Sequence, residues 1–272
     1  MIADINLLPH QYDFMADTTT RYLSLCGGYG CGKTYAFIVK ALHMAFLNPG
    51  CDGAILEPTI DMAKRILVPA MCEFMEEYGI QYSYMKADKI FLITTAEGQS
   101  KIHVLSGENY TRLVGLNLAW WGVDEVDTIK ADIAEDMFDK LIGRLRSKKA
   151  TTIQGFFTST PEGFGFLYNT FEKEPRLDPA ITNRKLIRGC TSDNPNNADG
   201  YMDDMMAKYT AEQCEAYING HFVNMKQGSV YYAFNRKQNG SKETIKNNAD
   251  DLPLHIGVDF NVGKMVAVVH LI

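Results

Sequence analysis

Six cysteines, at 26, 31, 51, 72, 190 and 214, are scattered along the 272 residues without a single C-x-x-C pair. That spacing suggests neither a zinc site nor a redox dithiol, and free thiols in a reducing cytosol are the simple reading. Nowhere do about 18 uncharged apolar residues follow one another, so no membrane-spanning helix is expected. The first residues, MIADINLLPHQYDFMAD, carry acids and lack a basic start followed by an apolar stretch, so no secretory signal is expected. An excess of positive charge is also missing: 27 Lys and Arg against 33 Asp and Glu leave a net charge of −6. This excludes a histone-like or tail-driven nucleic-acid binder. It leaves room for a local basic groove, because net charge averages over faces. There is no internal repeat and no low-complexity tract. Charged residues at 22% and aromatics at 11% argue against a disordered chain.

What is present is a hydrophobic content of 46%, enough to fill a sizeable core. Apolar stretches at 21–26, 53–56, 81–85, 90–95, 101–106, 118–123 and 151–158 read as strands. Between them, 6–16, 33–47, 64–78 and 130–147 read as helices. Strands alternating with helices predict a mostly parallel sheet covered on both faces, an α/β domain over residues 1–190. The polar connector SDNPNNADG at 192–200 then opens a different region. Helical character at 200–219, a candidate strand at 228–234 and a polar stretch at 235–250 make 191–250 a lid or linker. Two further strands, at 254–259 and 264–272, form a last segment, 251–272.

Gly27-Gly28-Tyr29-Gly30-Cys31-Gly32-Lys33-Thr34 fits G-x-x-x-x-G-K-[ST], with a strand before it and a helix after it. The glycines let backbone N–H groups curl around phosphate oxygens, and the helix N-terminus adds its dipole. Lys33 is placed to reach the β- and γ-phosphates, and the Thr34 hydroxyl to ligate Mg²⁺. Further on, the apolar run Trp120-Trp121-Gly122-Val123 ends in Asp124 and Glu125. Ligands of open α/β sheets bind at such strand ends. The pattern points to Asp124 holding Mg²⁺ and Glu125 orienting the attacking water.

Supporting groups follow. Gln11 offers a donor and an acceptor suited to an adenine edge. Thr158, Ser159 and Thr160 end another apolar strand, where hydroxyls can contact a γ-phosphate or its water. An arginine reaching that phosphate is worth roughly 10³–10⁵ in rate. Arg112 is one candidate, and Arg144 and Arg146 are others. The latter two share a basic stretch with Lys140, Lys148 and Lys149, which reads either as a solvated helix end or as a DNA-backbone contact. The pairs Phe156-Phe157 and Tyr231-Tyr232 read as core.

The ordered series PHQ at 9–11, GGYGCGKT at 27–34, RLVGLN at 112–117, WWGVDE at 120–125, RLR at 144–146, TSTPEG at 158–163, TSDNP at 191–195, GHF at 220–222, GSVYYAF at 228–234 and HIGVDFNVG at 255–263 resembles the large terminase subunit of tailed bacteriophages. The resemblance covers nearly the whole chain. It implies a P-loop NTPase of the ASCE, RecA-like kind, followed by a small lid and the first strands of an RNase H-like nuclease. It implies an ATPase using ATP and Mg²⁺, in which Gln11 meets adenine, Gly27–Thr34 cradle phosphate, and Asp124 and Glu125 are the metal and catalytic acids. Thr158, Ser159 and Thr160 match the segment coupling hydrolysis to movement, and Arg112 matches a region that supplies a finger to a neighbouring subunit. Double-stranded DNA, a portal, a procapsid, a small terminase subunit and a ring of like subunits are the implied partners, in the host cytoplasm. A helicase-like ATPase is the alternative. Of the several acids that the family's nuclease needs for two metals, only the first, Asp259, has a counterpart here, so DNA cleavage by these 272 residues is not expected.

Overall fold

The computed structural model describes residues 5–113, 115–225, 254–260 and 265–271, with the backbone alone at 112 and in the last two stretches. The chain divides into two compact units, Met1–Lys226 and Gln227–Ile272.

The first unit is built on an eight-stranded sheet. Its strands are β1 (Tyr22–Gly27), β2 (Asp52–Glu57), β3 (Tyr82–Met85), β4 (Ile90–Thr95), β5 (Gly98–Ser106), β6 (Leu118–Val123), β7 (Gln154–Ser159) and β8 (Arg184–Gly189). They lie in the order β3-β4-β5-β2-β6-β7-β1-β8. From β5 to β8 every pairing is parallel, and β4 and β3 extend the edge in antiparallel fashion. The helices are α1 (Pro9–Ala16), α2 (Lys33–Leu47), α3 (Ile60–Met62), α4 (Val68–Glu77), α5 (Ala131–Ile142), α6 (Glu174–Leu177), α7 (Tyr201–Lys208) and α8 (Ala211–Tyr217).

Period-two alternation sends adjacent aromatics to opposite faces. Trp120 and Phe156 join Phe37 of α2 and Met71 of α4 in one core, while Trp121 and Phe157 join Phe138 of α5 in the other. Both faces are therefore covered, as expected for parallel strands. Glycines make room for these rings: Gly53 lies against Trp120, Gly155 against Trp121 and Gly122 against Phe156.

Most elements lie where the sequence pattern puts them; the π-helical segment Tyr168–Lys173 with α6 has no counterpart in that pattern, and there are three further departures. The stretch expected as one helix over 64–78 is α4 preceded by a π-helical segment, Ala63–Leu67, with Thr59 capping the entry through a bond from the Met62 N–H. The helix expected to reach 147 stops at Ile142, and Leu145 instead bridges to Leu118 beside β6. The third is β8, a strand that hydrophobic patterning does not reveal. Its RKLIRG sequence is charged because it is an edge strand, only partly covered.

The second unit contributes an antiparallel pair, β9 (Leu254–Phe260) and β10 (Met265–Leu271), with Asp259 opposite Val266. The candidate strand at 228–234, with Tyr231 and Tyr232, lies outside the described residues.

Candidate active site

The parallel strands present their C-terminal ends together, and the chemistry-bearing residues collect there. β1 runs into the phosphate loop. β7 lies between β1 and β6, so Thr158 and Ser159 sit between that loop and the Asp124-Glu125 pair.

The loop turns on Gly30 and Gly32, whose φ angles of 71° and 84° are left-handed and suit glycine. Lys33 is buried, and its ammonium donates to the carbonyls of Gly27 and Gly28 at 3.1 and 3.0 Å. Gln11 lies beneath the loop. Its amide donates to the Gly32 carbonyl at 3.0 Å, and its carbonyl oxygen accepts from the Leu8 N–H at 2.9 Å. Both polar ends of Gln11 are thus engaged within the protein. His10 braces the same loop through Nε2, 2.9 Å from the Cys31 carbonyl.

Asp124 is buried, and its carboxylate accepts three hydrogen bonds, two of them from hydroxyls. The Thr34 hydroxyl donates to Oδ2 at 3.1 Å and the Thr158 hydroxyl to Oδ1 at 2.5 Å. Burial and the neighbouring Glu125 raise its pKa, and the two hydroxyls and Lys33 pull against that rise. Glu125 adopts φ 49° and ψ 40°, a left-handed conformation unfavourable for a side-chain-bearing residue. Its N–H donates to Asp124 Oδ1 at 3.0 Å. Its Oε2 lies 3.5 Å from the Ser159 hydroxyl and 3.4 Å from the Thr160 N–H, both donating to it. Strained backbone of this kind concentrates at functional sites and persists where the surroundings hold it.

Thr34 Oγ1 and the Asp124 carboxylate are hard oxygen donors, the set that suits Mg²⁺. Among the described residues no three His, Cys, Asp or Glu side chains converge closely enough to ligate an ion. Mg²⁺ does not need such a cage, since it keeps waters and takes one or two protein ligands plus phosphate oxygens. The donor set therefore fits this ion.

Of the candidate arginines, Arg112 closes a 3₁₀ turn, Gly107–Arg112, and its side chain lies outside the described residues. Arg144 is half-buried with its Nε unpartnered. Arg146 is exposed, and with Lys148, Lys149 and Asn117 it lines a hollow of about 430 Å³ beside the first residues of β2. That is the opposite edge of the sheet from the phosphate loop, so Arg146 does not reach its own chain's loop.

Three groups in or beside the site escape the sequence reading. Glu57 ends β2 and is buried. Burial, then Asp124 and Glu125, raises its pKa strongly. A signal for it exists, since Ile55-Leu56-Glu57 repeats the pattern of an apolar strand ending in an acid. Next, residues 190–220 pack directly on the loop: Thr191 donates to the Tyr29 carbonyl at 2.7 Å and Asn194 to the Gly30 carbonyl at 2.6 Å. The Tyr217 ring stacks on Tyr29 with centroids 4.9 Å apart.

The third group is Asp127, which accepts the Leu167 N–H at 2.9 Å while its buried Oδ2 has no partner. Burial raises its pKa from 3.8 to about 7. The folded state therefore holds a proton that the unfolded chain releases. Stability from this group is present at low pH and falls as pH rises from about 4 to about 7, by up to about 1.4 kcal/mol per pH unit. Asp127→Asn is expected to remove this component. Thermal midpoints of both proteins across that window test it; a constant difference between them would refute it.

Comparison with known proteins decides the family. Residues 25–238 match the family model described as "Terminase large subunit, T4likevirus-type, N-terminal". The chain belongs to this family. No curated protein matches it. Its fold is that of solved large terminases. The large terminase of a thermophilic bacteriophage, in complex with ADP, superposes with a TM-score of 0.67 at 14% identity, covering 98% of this chain and 65% of that one. The same thermophilic-phage protein in complex with ATP-gamma-S gives 0.65 at 15% identity, covering 97% and 64%. The large-terminase ATPase domain of Thermus phage P74-26 gives 0.60 at 18% identity, covering 81% and 94%. This terminase chain thus spans under two thirds of the thermophilic-phage protein's length. Among its described residues no helix is long and apolar enough to cross a membrane.

Proposed function

We propose that this chain is the ATP-hydrolysing part of a viral DNA-packaging motor, coupling ATP + water → ADP + phosphate to the movement of double-stranded DNA into a procapsid. The observation that carries this is the convergence on Asp124 of the loop's Thr34 hydroxyl and the Thr158 hydroxyl of β7, with Glu125 alongside. The thermophilic-phage relative binds ADP and ATP-gamma-S, which supports a nucleotide at the equivalent loop here.

In this reading the loop's N–H groups and Lys33 take the phosphates. Lys33 gives up its bonds to Gly27 and Gly28 for phosphate oxygens of higher negative charge. Thr34 and Asp124 would hold Mg²⁺, which supplies charge neutralisation on the phosphate oxygens. Glu125 accepts a hydrogen bond from the attacking water and aligns it, held in place by Ser159 and Thr160. Gln11 reads adenine by exchanging its internal bonds. Arg112 supplies a finger to the neighbouring subunit of a ring assembled on the portal, with the small terminase subunit as a further partner. The family match favours this motor over the helicase-like alternative.

Duplex DNA is expected to raise the chain's ATP hydrolysis, and Lys33→Ala to abolish it with and without DNA. Phosphate release measured with both proteins decides the matter. Hydrolysis undiminished in Lys33→Ala would remove the proposal.

A further inference from the structure

Glu57 is the third carboxyl at the strand ends and the one without a partner. It closes β2, immediately beside β6: Leu56 pairs with Val123, and the Leu56 carbonyl accepts the Asp124 N–H at 2.9 Å. The residue is 2% exposed, and its buried Oε2 receives no hydrogen bond. β2 flanks β6 on the side opposite β7, so the strand end that carries Glu57 lies beside the end that carries the acidic pair. A buried acceptor left unsatisfied destabilises a fold, a cost that persists when a ligand relieves it.

We infer that Glu57 is a positioning residue that holds a water of the Mg²⁺ shell through Oε2. This rests on the reading of the site as a Mg·ATP site. The choice of a water-mediated contact follows from two facts. Among the described residues no three acidic side chains come close enough to ligate one ion together, and Mg²⁺ retains several of its waters when bound. A water on the ion donates strongly, and Oε2 is an enclosed acceptor beside Asp124 that has no donor. The role differs from that of Glu125, which is held by Ser159 and Thr160 on the β7 side. Water-bridged acids of this kind typically set metal affinity by about 10- to 100-fold.

The test is Mn²⁺ binding to the full chain with a non-hydrolysable ATP analogue, followed by electron paramagnetic resonance, in wild type, Glu57→Gln and Glu57→Asp. Glu57→Gln is expected to weaken Mn²⁺ binding about 10- to 100-fold, with nucleotide affinity in the absence of metal unchanged. Glu57→Asp, which keeps the charge on a shorter stem, is expected to fall between the two. The Mg²⁺ concentration for half-maximal hydrolysis should rise in parallel, with kcat largely restored at saturating Mg²⁺. Mn²⁺ affinity equal to wild type in both variants overturns the assignment, whatever happens to kcat. Should Glu57→Gln fail to fold, the Glu57→Asp titration alone decides. A wild-type chain that binds no Mn²⁺ with nucleotide overturns the Mg·ATP reading together with this inference. A wild type that binds it while the variants match overturns only the role of Glu57.

Discussion

Glu125→Gln is expected to lower kcat for ATP hydrolysis by about 10²- to 10⁴-fold while Mg·ATP still binds. Glutamine keeps the length and shape of the side chain, and one amide oxygen can still accept from the Ser159 hydroxyl and the Thr160 N–H. What disappears is the negative charge that polarises and aligns water. That interaction matters in the transition state and hardly at all in the ground state, so KM should stay within a few-fold of wild type. The backbone at φ 49° is unaffected, because glutamine and glutamate face the same left-handed penalty. Lys33→Ala should behave differently. It removes a cation that meets phosphate in both states, so nucleotide affinity and kcat should fall together. Equilibrium binding of Mg·ATP alongside single-turnover hydrolysis separates the two. Glu125→Gln with full turnover would exclude Glu125 as the water-aligning group and leave Glu57, the other acid at this edge, to be tested for it.

The contrast between these acids shows how much of the site the sequence carries. The phosphate loop is legible because its chemistry is contiguous: eight residues, Gly27 to Thr34, contain the turn glycines, the cation and the hydroxyl. Asp124 and Glu125 are legible because an uninterrupted apolar run announces a buried strand whose end must face the ligand edge. Thr158 is half-legible. Its strand shows, but its partner does not, because the bond to Asp124 depends on β7 lying between β1 and β6. Glu57 escapes by one residue, because the apolar run ends at Leu56 while the strand continues through the acid. The packing of Thr191, Asn194 and Tyr217 on the loop joins residues more than 150 apart in sequence and leaves no local pattern. β8 is hidden for the opposite reason: as an edge strand it tolerates Arg184, Lys185 and Arg188, which in a central strand would be excluded.

The adjoining tryptophans and glycines lead to the largest expected effect on stability. Gly155 on β7 stands opposite Trp121 on β6. A Cβ at Gly155 would lie 2.2 Å from Cζ2 of that indole, far inside contact distance. The ring cannot yield. It is fully buried, its Nε1–H donates to the Leu141 carbonyl at 3.0 Å, and Phe138 and Phe157 pack edge-on against it. Gly155→Ala is therefore expected to destabilise the protein by about 1–3 kcal/mol through overpacking. Trp121→Phe should also destabilise, by about 2–3 kcal/mol, through a cavity and the lost indole bond to the Leu141 carbonyl, which keeps the Arg144 N–H. Together they should cost less than their sum by about 1–2 kcal/mol, because the shorter ring vacates the space the new methyl needs. Gly143→Ala is the control: its nearest neighbour would be 3.5 Å away, and the change should stay within about 0.5 kcal/mol. Urea unfolding of the four variants measures all of this, and strict additivity of the first two would refute the clash. The same displacement has a functional reading. β7 carries Thr158 and Ser159 three and four residues beyond Gly155, so a strand pushed away from β6 loosens the hydroxyl on Asp124. Gly155→Ala should then lower kcat in protein that remains folded, and Trp121→Phe should restore it.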